Sequence, residues 1–119
     1  MNTEELNLRT KTLANACIKV SILLPANATL GILIKDRLLN CATDLAVKSR
    51  GLGMTQNAEY FANRLNSAAE AANSCGFWLE MIKDEQLMDV SLINPLIEES
   101  NTLLSLFLQA SKKVKDKLE

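Results

Sequence analysis

Histidine is absent from this chain of 119 residues, and aromatic residues make up only 4 % of it. Without histidine the chain has no Ser-His or Cys-His nucleophile pair, no phosphohistidine relay and no histidine-ligated metal. Four glycines and two prolines offer few breaks, and no apolar run approaches the roughly 20 residues that span a membrane. These absences disfavour an enzyme and a membrane protein, and they favour long helices over sheet.

Cysteine is scarce too, with Cys17, Cys41 and Cys75 separated by 24 and 34 positions. These spacings match neither a zinc knuckle nor a Cys-x-x-Cys redox pair. Each cysteine lies among apolar residues on a predicted helix, which is typical of small buried side chains in a reducing compartment. The N-terminus shows no signal-peptide pattern. We therefore expect a soluble, cytoplasmic protein that uses no metal or cofactor.

The strongest pattern that is present is a stripe of apolar residues in the third quarter of the chain. Its members follow one another at alternating spacings of three and four, which places them on one face of one long helix. They are Ala58, Phe61, Leu65, Ala68, Ala72, Cys75, Leu79 and Ile82. The small residues in the middle of the stripe would let a second helix approach closely. This is the pattern of a helix in a bundle.

Turn signals divide the chain into four such helices, over residues 3–24, 29–50, 55–83 and 94–117. Asn2 with Glu5 reads as a capping box, Pro25 ends the first helix, and Gly51 lies in the glycine turn that ends the second. The fourth helix could begin at Ser91 or at Asn94, where a proline follows. Short connections between four helices predict an all-α domain spanning residues 1–119, an antiparallel up-down-up-down four-helix bundle.

The other three helices also carry apolar stripes, and more apolar residues than one internal face requires. The stripes are Leu6, Leu13, Cys17, Val20 and Leu24; Leu30, Ile34, Leu38, Cys41 and Leu45; and Ile97, Ser100, Leu104, Phe107, Ser111, Val114 and Leu118. Lying off the stripes are Ile32, Leu33, Leu39, Phe77, Trp78, Leu103, Leu106 and Leu108. Helices that are apolar on two sides are often covered by a neighbouring subunit, so we expect a homo-oligomer.

Charge is distributed unevenly along a chain whose net charge is −1. Residues 1–50 hold seven Lys/Arg and four Asp/Glu, a net +3, whereas residues 51–119 hold six and ten, a net −4. The candidate nucleic-acid-binding residues are Lys35, Arg37, Lys48, Arg50 and Arg64. The alternative is that these are scattered surface charges. Asp44 could pair with Arg64 or with Lys48, and the lysines that crowd the end of the last helix match the helix dipole there.

The chain resembles a family of bacterial four-helix-bundle proteins over about residues 9–117. This family is typified by proteins encoded in intervening sequences of 23S ribosomal RNA genes, and the accessory variability determinants of diversity-generating retroelements are similar to it. The resemblance is carried by Leu38-Leu39 with Cys41-Ala42-Thr43 after it, by Phe61, Leu65, Ala68 and Ala72, by Phe77-Trp78-Leu79 and by Leu96-Ile97-Glu98-Glu99. The chain departs from the retroelement proteins, which are strongly basic, in its net charge.

The resemblance implies a homopentamer of bundles around a central channel, without catalytic activity. It also implies nucleic acid or a reverse transcriptase as partners, because the retroelement members bind both. Our first functional hypothesis is therefore a non-catalytic, oligomeric bundle that contacts nucleic acid or a nucleic-acid enzyme. The alternative is a protein-interaction scaffold with no nucleic-acid role, in which the acidic third and fourth helices form the partner surface.

Overall fold

A computed structural model describes residues 2–119 of the chain, and within that range it contains four α-helices and no strand. The helices are α1 (Thr3–Leu23), α2 (Thr29–Gly51), α3 (Ala58–Asp84) and α4 (Val90–Leu118). A short 3-10 helix, Leu52–Met54, continues from the end of α2. The prediction of an all-α fold is confirmed, and the four predicted helix ends lie within one residue of the observed ones.

Three of the four helices begin at a side chain that caps their free N–H groups. The Asn2 Oδ1 atom accepts a hydrogen bond from the Glu5 N–H at 2.8 Å, as the capping pattern predicts. Asn57 caps α3 in the same way through the Tyr60 N–H, at 2.9 Å. For α4 the cap is Asp89, whose carboxylate accepts from the backbone N–H of the second helical residue. The second helix follows Ala28 and has no side-chain cap.

Two predicted helix starts differ from the structure. The third helix begins at Ala58 rather than at residue 55, because the 3-10 turn occupies the preceding segment and Asn57 supplies the cap. The fourth helix begins at Val90, one residue before the first of the two predicted starts, Ser91, and four residues before the start at residue 94, so Pro95 lies inside it. The proline removes only one hydrogen bond close to the helix start. Ile93 is fully buried, and its packing holds this first turn in helical form.

The core forms where the predicted stripes meet. Every stripe residue of α1 is buried, and so are the six stripe residues of α3 from Leu65 to Ile82. Ala58, the first residue of α3, is exposed, and Phe61 is half-buried. On α2 the buried stripe residues are Ile34, Leu38 and Leu45, whereas Leu30 and Cys41 are half-buried.

The core face of α4 is rotated from the predicted one. Leu103 was predicted to lie off the stripe but is fully buried, whereas Leu118 is exposed and Leu104 is half-buried. The observed core face is Ile93, Ser100, Leu103, Phe107 and Ser111. Both serines are accommodated because each hydroxyl donates to a backbone carbonyl, Ser100 to Leu96 at 2.9 Å and Ser111 to Ala62 of α3 at 3.2 Å.

The four helices pack into an elongated body of about 51 × 21 × 20 Å that is consistent with a bundle. The most extensive helix pair is α3 with α4, followed by α1 with α2 and α2 with α3. Contacts between α1 and α4 are sparse. Across that seam the Arg9 guanidinium donates two hydrogen bonds to the carboxylate of Glu99. Among residues 2–119 no helix combines the length and the apolar character needed to cross a bilayer.

Candidate nucleic-acid interface

The last turn of α2 and the first turns of α3 form a groove of about 450 Å³. Three of the five predicted basic residues, Lys48, Arg50 and Arg64, line this groove. Between them lie the apolar side chains of Val47 and Met54 and the ring of Tyr60. We call this surface the basic groove.

Arg64 joins the two helices that form the basic groove. Its Nη1 atom donates to the carbonyl oxygen of Gly51 at 2.8 Å, which satisfies one of the free carbonyls at the end of α2. The guanidinium also lies over the ring of Tyr60, 4.8 Å from its centroid, in a cation–π contact. Arg64 therefore has a structural role as well as lining the groove.

Lys48 pairs with Asp44 one turn earlier on α2, at 3.0 Å between Nζ and Oδ2. Of the two partners that the sequence left open for Asp44, the structure thus selects Lys48. Both side chains are about a third or more exposed, and a surface pair at this spacing contributes only about 0.3–0.5 kcal/mol. An anionic ligand could displace Asp44 at small cost.

Arg50 is the most available cation of the basic groove. Its side chain is exposed, and within residues 2–119 no hydrogen bond or ion pair engages it. It also lines a second groove of about 410 Å³, formed with α1 and containing Leu8 and Lys11. Lys11 was missed at the sequence level. The predicted antiparallel bundle already placed the first turns of α1 beside the last turns of α2, and Lys11 would have been found by counting the charges of both helices at that end.

Lys35 and Arg37 do not belong to this interface. Both lie on the first half of α2, and 13 residues separate Arg37 from Arg50, which is about 20 Å along a helix. Neither lines the basic groove. The five predicted residues are therefore divided by the structure, with three brought together and two placed elsewhere.

The lysines of α4 add positive charge beside the start of α3. Lys117 lines a shallow groove of about 380 Å³ together with Thr55, Gln56 and Phe61. Lys115 and Lys117 occupy the last turn of α4, where a positive charge also complements the helix dipole.

The structure offers little for chemistry in this region. Among the described residues no group of three or more Cys, Asp or Glu side chains is placed to hold a metal ion. The titratable groups that line the basic groove are three cations and a tyrosine. Three cations on one groove can attract an anionic ligand.

Comparison of this chain with protein-family models, with curated proteins and with solved structures finds no match. The family resemblance of the sequence therefore stays a prediction.

Proposed function

We propose that this protein is a non-catalytic, homo-oligomeric four-helix bundle that binds nucleic acid through the basic groove. The observation that carries the proposal is the convergence of Lys48, Arg50 and Arg64 on one open groove. These residues come from two helices, so the fold collects charges that are spread along the sequence. A net charge of −1 does not prevent this, because phosphate binding depends on local charge.

Binding through this groove would be directed at phosphates and not at bases. Arg50 and Lys11 line the groove beside it and would contact the backbone, and Lys48 would exchange Asp44 for a phosphate. Tyr60 already holds the guanidinium of Arg64 against its ring, so one face of the ring is occupied. We therefore expect little sequence preference and strong salt dependence.

Antiparallel packing of neighbouring helices is part of the proposal. Ser111, near the end of α4, bonds to Ala62 near the start of α3. Gly76, late in α3, lies near Ser100 in the first half of α4. Likewise Ser49, near the end of α2, donates to Asn7 near the start of α1 at 2.9 Å. The two contacts between α3 and α4 and the one between α1 and α2 are what opposed helix directions would produce.

Self-association is supported by the apolar surface of the single chain. Ile22, Leu23, Ile32 and Phe77 are all more than half exposed, and none of them lines the basic groove. Burying such side chains at about 25 cal/mol per Å² is the usual driving force for subunit association. In a ring of copies every basic groove would be repeated, so a modest charge per chain would be multiplied along the nucleic acid.

Fluorescence anisotropy with labelled single-stranded RNA, single-stranded DNA and duplex DNA tests the proposal. We expect binding at low salt and a linear fall of log affinity with log salt, with a slope of about −0.7 per contacted phosphate for a single strand. Failure to retain any of the three ligands at low salt would remove the nucleic-acid role.

A protein-interaction scaffold is the second candidate, and the acidic connection between α3 and α4 favours it. Asp84, Glu85 and Asp89 are exposed there, near the exposed side chain of Leu92. A basic partner, such as a polymerase domain, would match this surface. Charge reversal at Lys48 and Arg50 separates the candidates, because it should abolish nucleic-acid retention and leave binding of such a partner intact.

A further inference from the structure

Two outer sides of the bundle face away from each other, one formed by α1 with α2 and the other by α3 with α4. The close helix pairs are α1 with α2, α2 with α3 and α3 with α4, whereas contacts between α1 and α4 are sparse. This order around the bundle places the α1–α2 pair opposite the α3–α4 pair. Both sides carry exposed apolar side chains outside the basic groove.

On the α1–α2 side, exposed apolar side chains gather where the chain turns from the first helix into the second. The close approach of Gly31 to the Pro25 carbonyl brings the two helix ends together there. Lys19 lies one turn before the apolar residues of α1, and Lys35 lies one turn after those of α2. We call the two lysines and the apolar residues together the turn patch, and the apolar residues are Ile22, Leu23, Ile32 and Leu33.

On the α3–α4 side, a groove of about 290 Å³ lies between the two helices. Leu104 and Leu108 line it from α4, and Glu70 and Asn73 line it from α3. The α3 residues belong to a row at spacings of three and four, so the row runs along one face of the helix. All of its members are exposed, and three of the five are carboxylates. We call this row, together with the two leucines, the acidic face, and the row is Glu70, Asn73, Phe77, Glu80 and Asp84.

The turn patch and the acidic face have opposite charge. The same difference holds for the halves of the chain that carry them, because residues 1–50 have a net charge of +3 and residues 51–119 a net charge of −4. Two copies of either surface placed against each other would bring like charges together, whereas one copy of each would bring unlike charges together. Each chain therefore carries both halves of a complementary pair of surfaces.

We propose that the turn patch of one copy docks on the acidic face of the next copy, so that one heterologous contact is repeated through the homo-oligomer. This inference rests on the proposed self-association and names the two surfaces that produce it. The apolar side chains supply the driving force, and the pairs of lysine and carboxylate select which surfaces meet.

The size of the molecule and the position of the basic groove are compatible with this contact. A long side of a body of about 51 × 21 × 20 Å has room for the roughly 800 Å² per partner that a stable interface buries. No residue of the turn patch or of the acidic face lines the basic groove. The next copy and a nucleic acid would therefore occupy different surfaces of the same chain.

The first test mixes two variants that each lose one surface. Ile22→Asp with Leu23→Asp disables the turn patch, and Phe77→Lys with Leu108→Lys disables the acidic face, all at exposed positions. In light scattering we expect an oligomer for the wild type and a monomer for each variant alone, with circular dichroism showing that both remain helical. An equimolar mixture should form a species that contains both variants, because one intact turn patch then meets one intact acidic face.

The matched control is Leu8→Asp, which places a charge at an exposed leucine of α1 outside both surfaces and should assemble like the wild type. A second measurement uses the wild type alone. A mixture of ¹⁵N-labelled and unlabelled chains, refolded together, is treated with a carbodiimide that joins amines directly to carboxylates. We expect mixed-label peptides in which Lys19 or Lys35 is joined to a carboxylate of the acidic face.

A monomeric wild type would overturn both this contact and the self-association on which it rests. Three other results would overturn the contact alone, with an oligomeric wild type. They are an acidic-face variant that still assembles by itself, a mixture in which the two variants do not combine, and mixed-label cross-links that never join the turn patch to the acidic face.

Discussion

Leu65 lies at the centre of the α3 stripe, with 1 % of its surface exposed. Its neighbours at helical spacing, Ala62, Ala68 and Ala69, are equally buried. A side chain in this position has no route to water, so any charge placed there must be desolvated. A single polar substitution in the stripe should therefore lower the free energy of unfolding.

We expect Leu65→Asp to lower the free energy of unfolding by about 3–5 kcal/mol, because it removes buried apolar surface and buries a carboxylate. The matched control is Leu8→Asp, which makes the same exchange at a side chain that is 68 % exposed. The control should change stability by less than about 0.5 kcal/mol. Urea unfolding followed by circular dichroism measures both. Equal urea midpoints for the two variants would contradict the assignment of the α3 stripe to the core.

Single residues also show where sequence reasoning stops. The period of the stripe predicts that Leu65 and Leu79 are buried, and both are. It does not show which of Leu103 and Leu104 is buried. These adjacent leucines lie 100° apart on the helix, and the partner helices decide which of the two faces is turned toward the core. The charge of Arg64 suggests a ligand, but nothing in the sequence shows that the Gly51 carbonyl needs a donor.

At the level of helices, the turn between α1 and α2 depends on a close backbone approach. A Cβ atom on Gly31 would lie 2.3 Å from the carbonyl oxygen of Pro25. Glycine is therefore required at the third residue of α2 so that the chain can fold back over its own turn. At Gly53, by contrast, an added Cβ would meet nothing within 4 Å.

Gly31→Ala should destabilise the protein by about 1–3 kcal/mol, since the methyl group meets backbone that cannot move without shifting the turn. Gly53→Ala should be neutral or stabilising by up to about 1 kcal/mol, because it reduces the entropy of the unfolded chain. Thermal unfolding of the two variants side by side measures the difference. Equal melting temperatures, or a more stable Gly31→Ala, would show that the approach to Pro25 is not constraining.

The starts and ends of the helices were predictable to different degrees. Helix ends followed from Pro25 and from the glycine turn at Gly51, which are strong local signals. For α4 the sequence left two starts open, Ser91 and Asn94, and the observed start at Val90 lies one residue from the first of them, with Asp89 as the cap. Only the burial of Ile93 decides between them.

For the whole molecule, part of the exposed apolar surface lies inside the basic groove. Val47 and Met54 are among the most exposed apolar residues and also line the groove. A ligand bound in the groove would cover these two side chains, so subunit contacts are expected on the exposed apolar side chains outside it. The sequence predicted the excess of apolar residues and the basic character near Gly51. The predicted helix over residues 29–50 already separates Arg37 from Arg50 by about 20 Å. The sequence could not show that Arg64 of α3 joins Lys48 and Arg50 in one groove, because that follows from helix packing.

Light scattering should show a mass of several subunits, with five favoured by the family resemblance. Apolar contacts would hold the assembly, so the mass should persist at high salt, where charge–charge contacts are screened. Ile22→Asp with Leu23→Asp should lower the mass, because both side chains are exposed apolar surface outside the basic groove. A monomeric mass at both salt concentrations would contradict the proposed homo-oligomer.

The most direct test of the central claim compares two charge reversals on one helix. Arg50→Glu and Arg37→Glu change the same side chain type at exposed positions about 20 Å apart on α2, so their effects on net charge are identical. We expect Arg50→Glu to weaken nucleic-acid binding about tenfold or more in anisotropy titrations, and to reduce the salt slope by about one contact. Arg37→Glu should leave both nearly unchanged. Equal losses in the two variants would contradict a binding site in the basic groove.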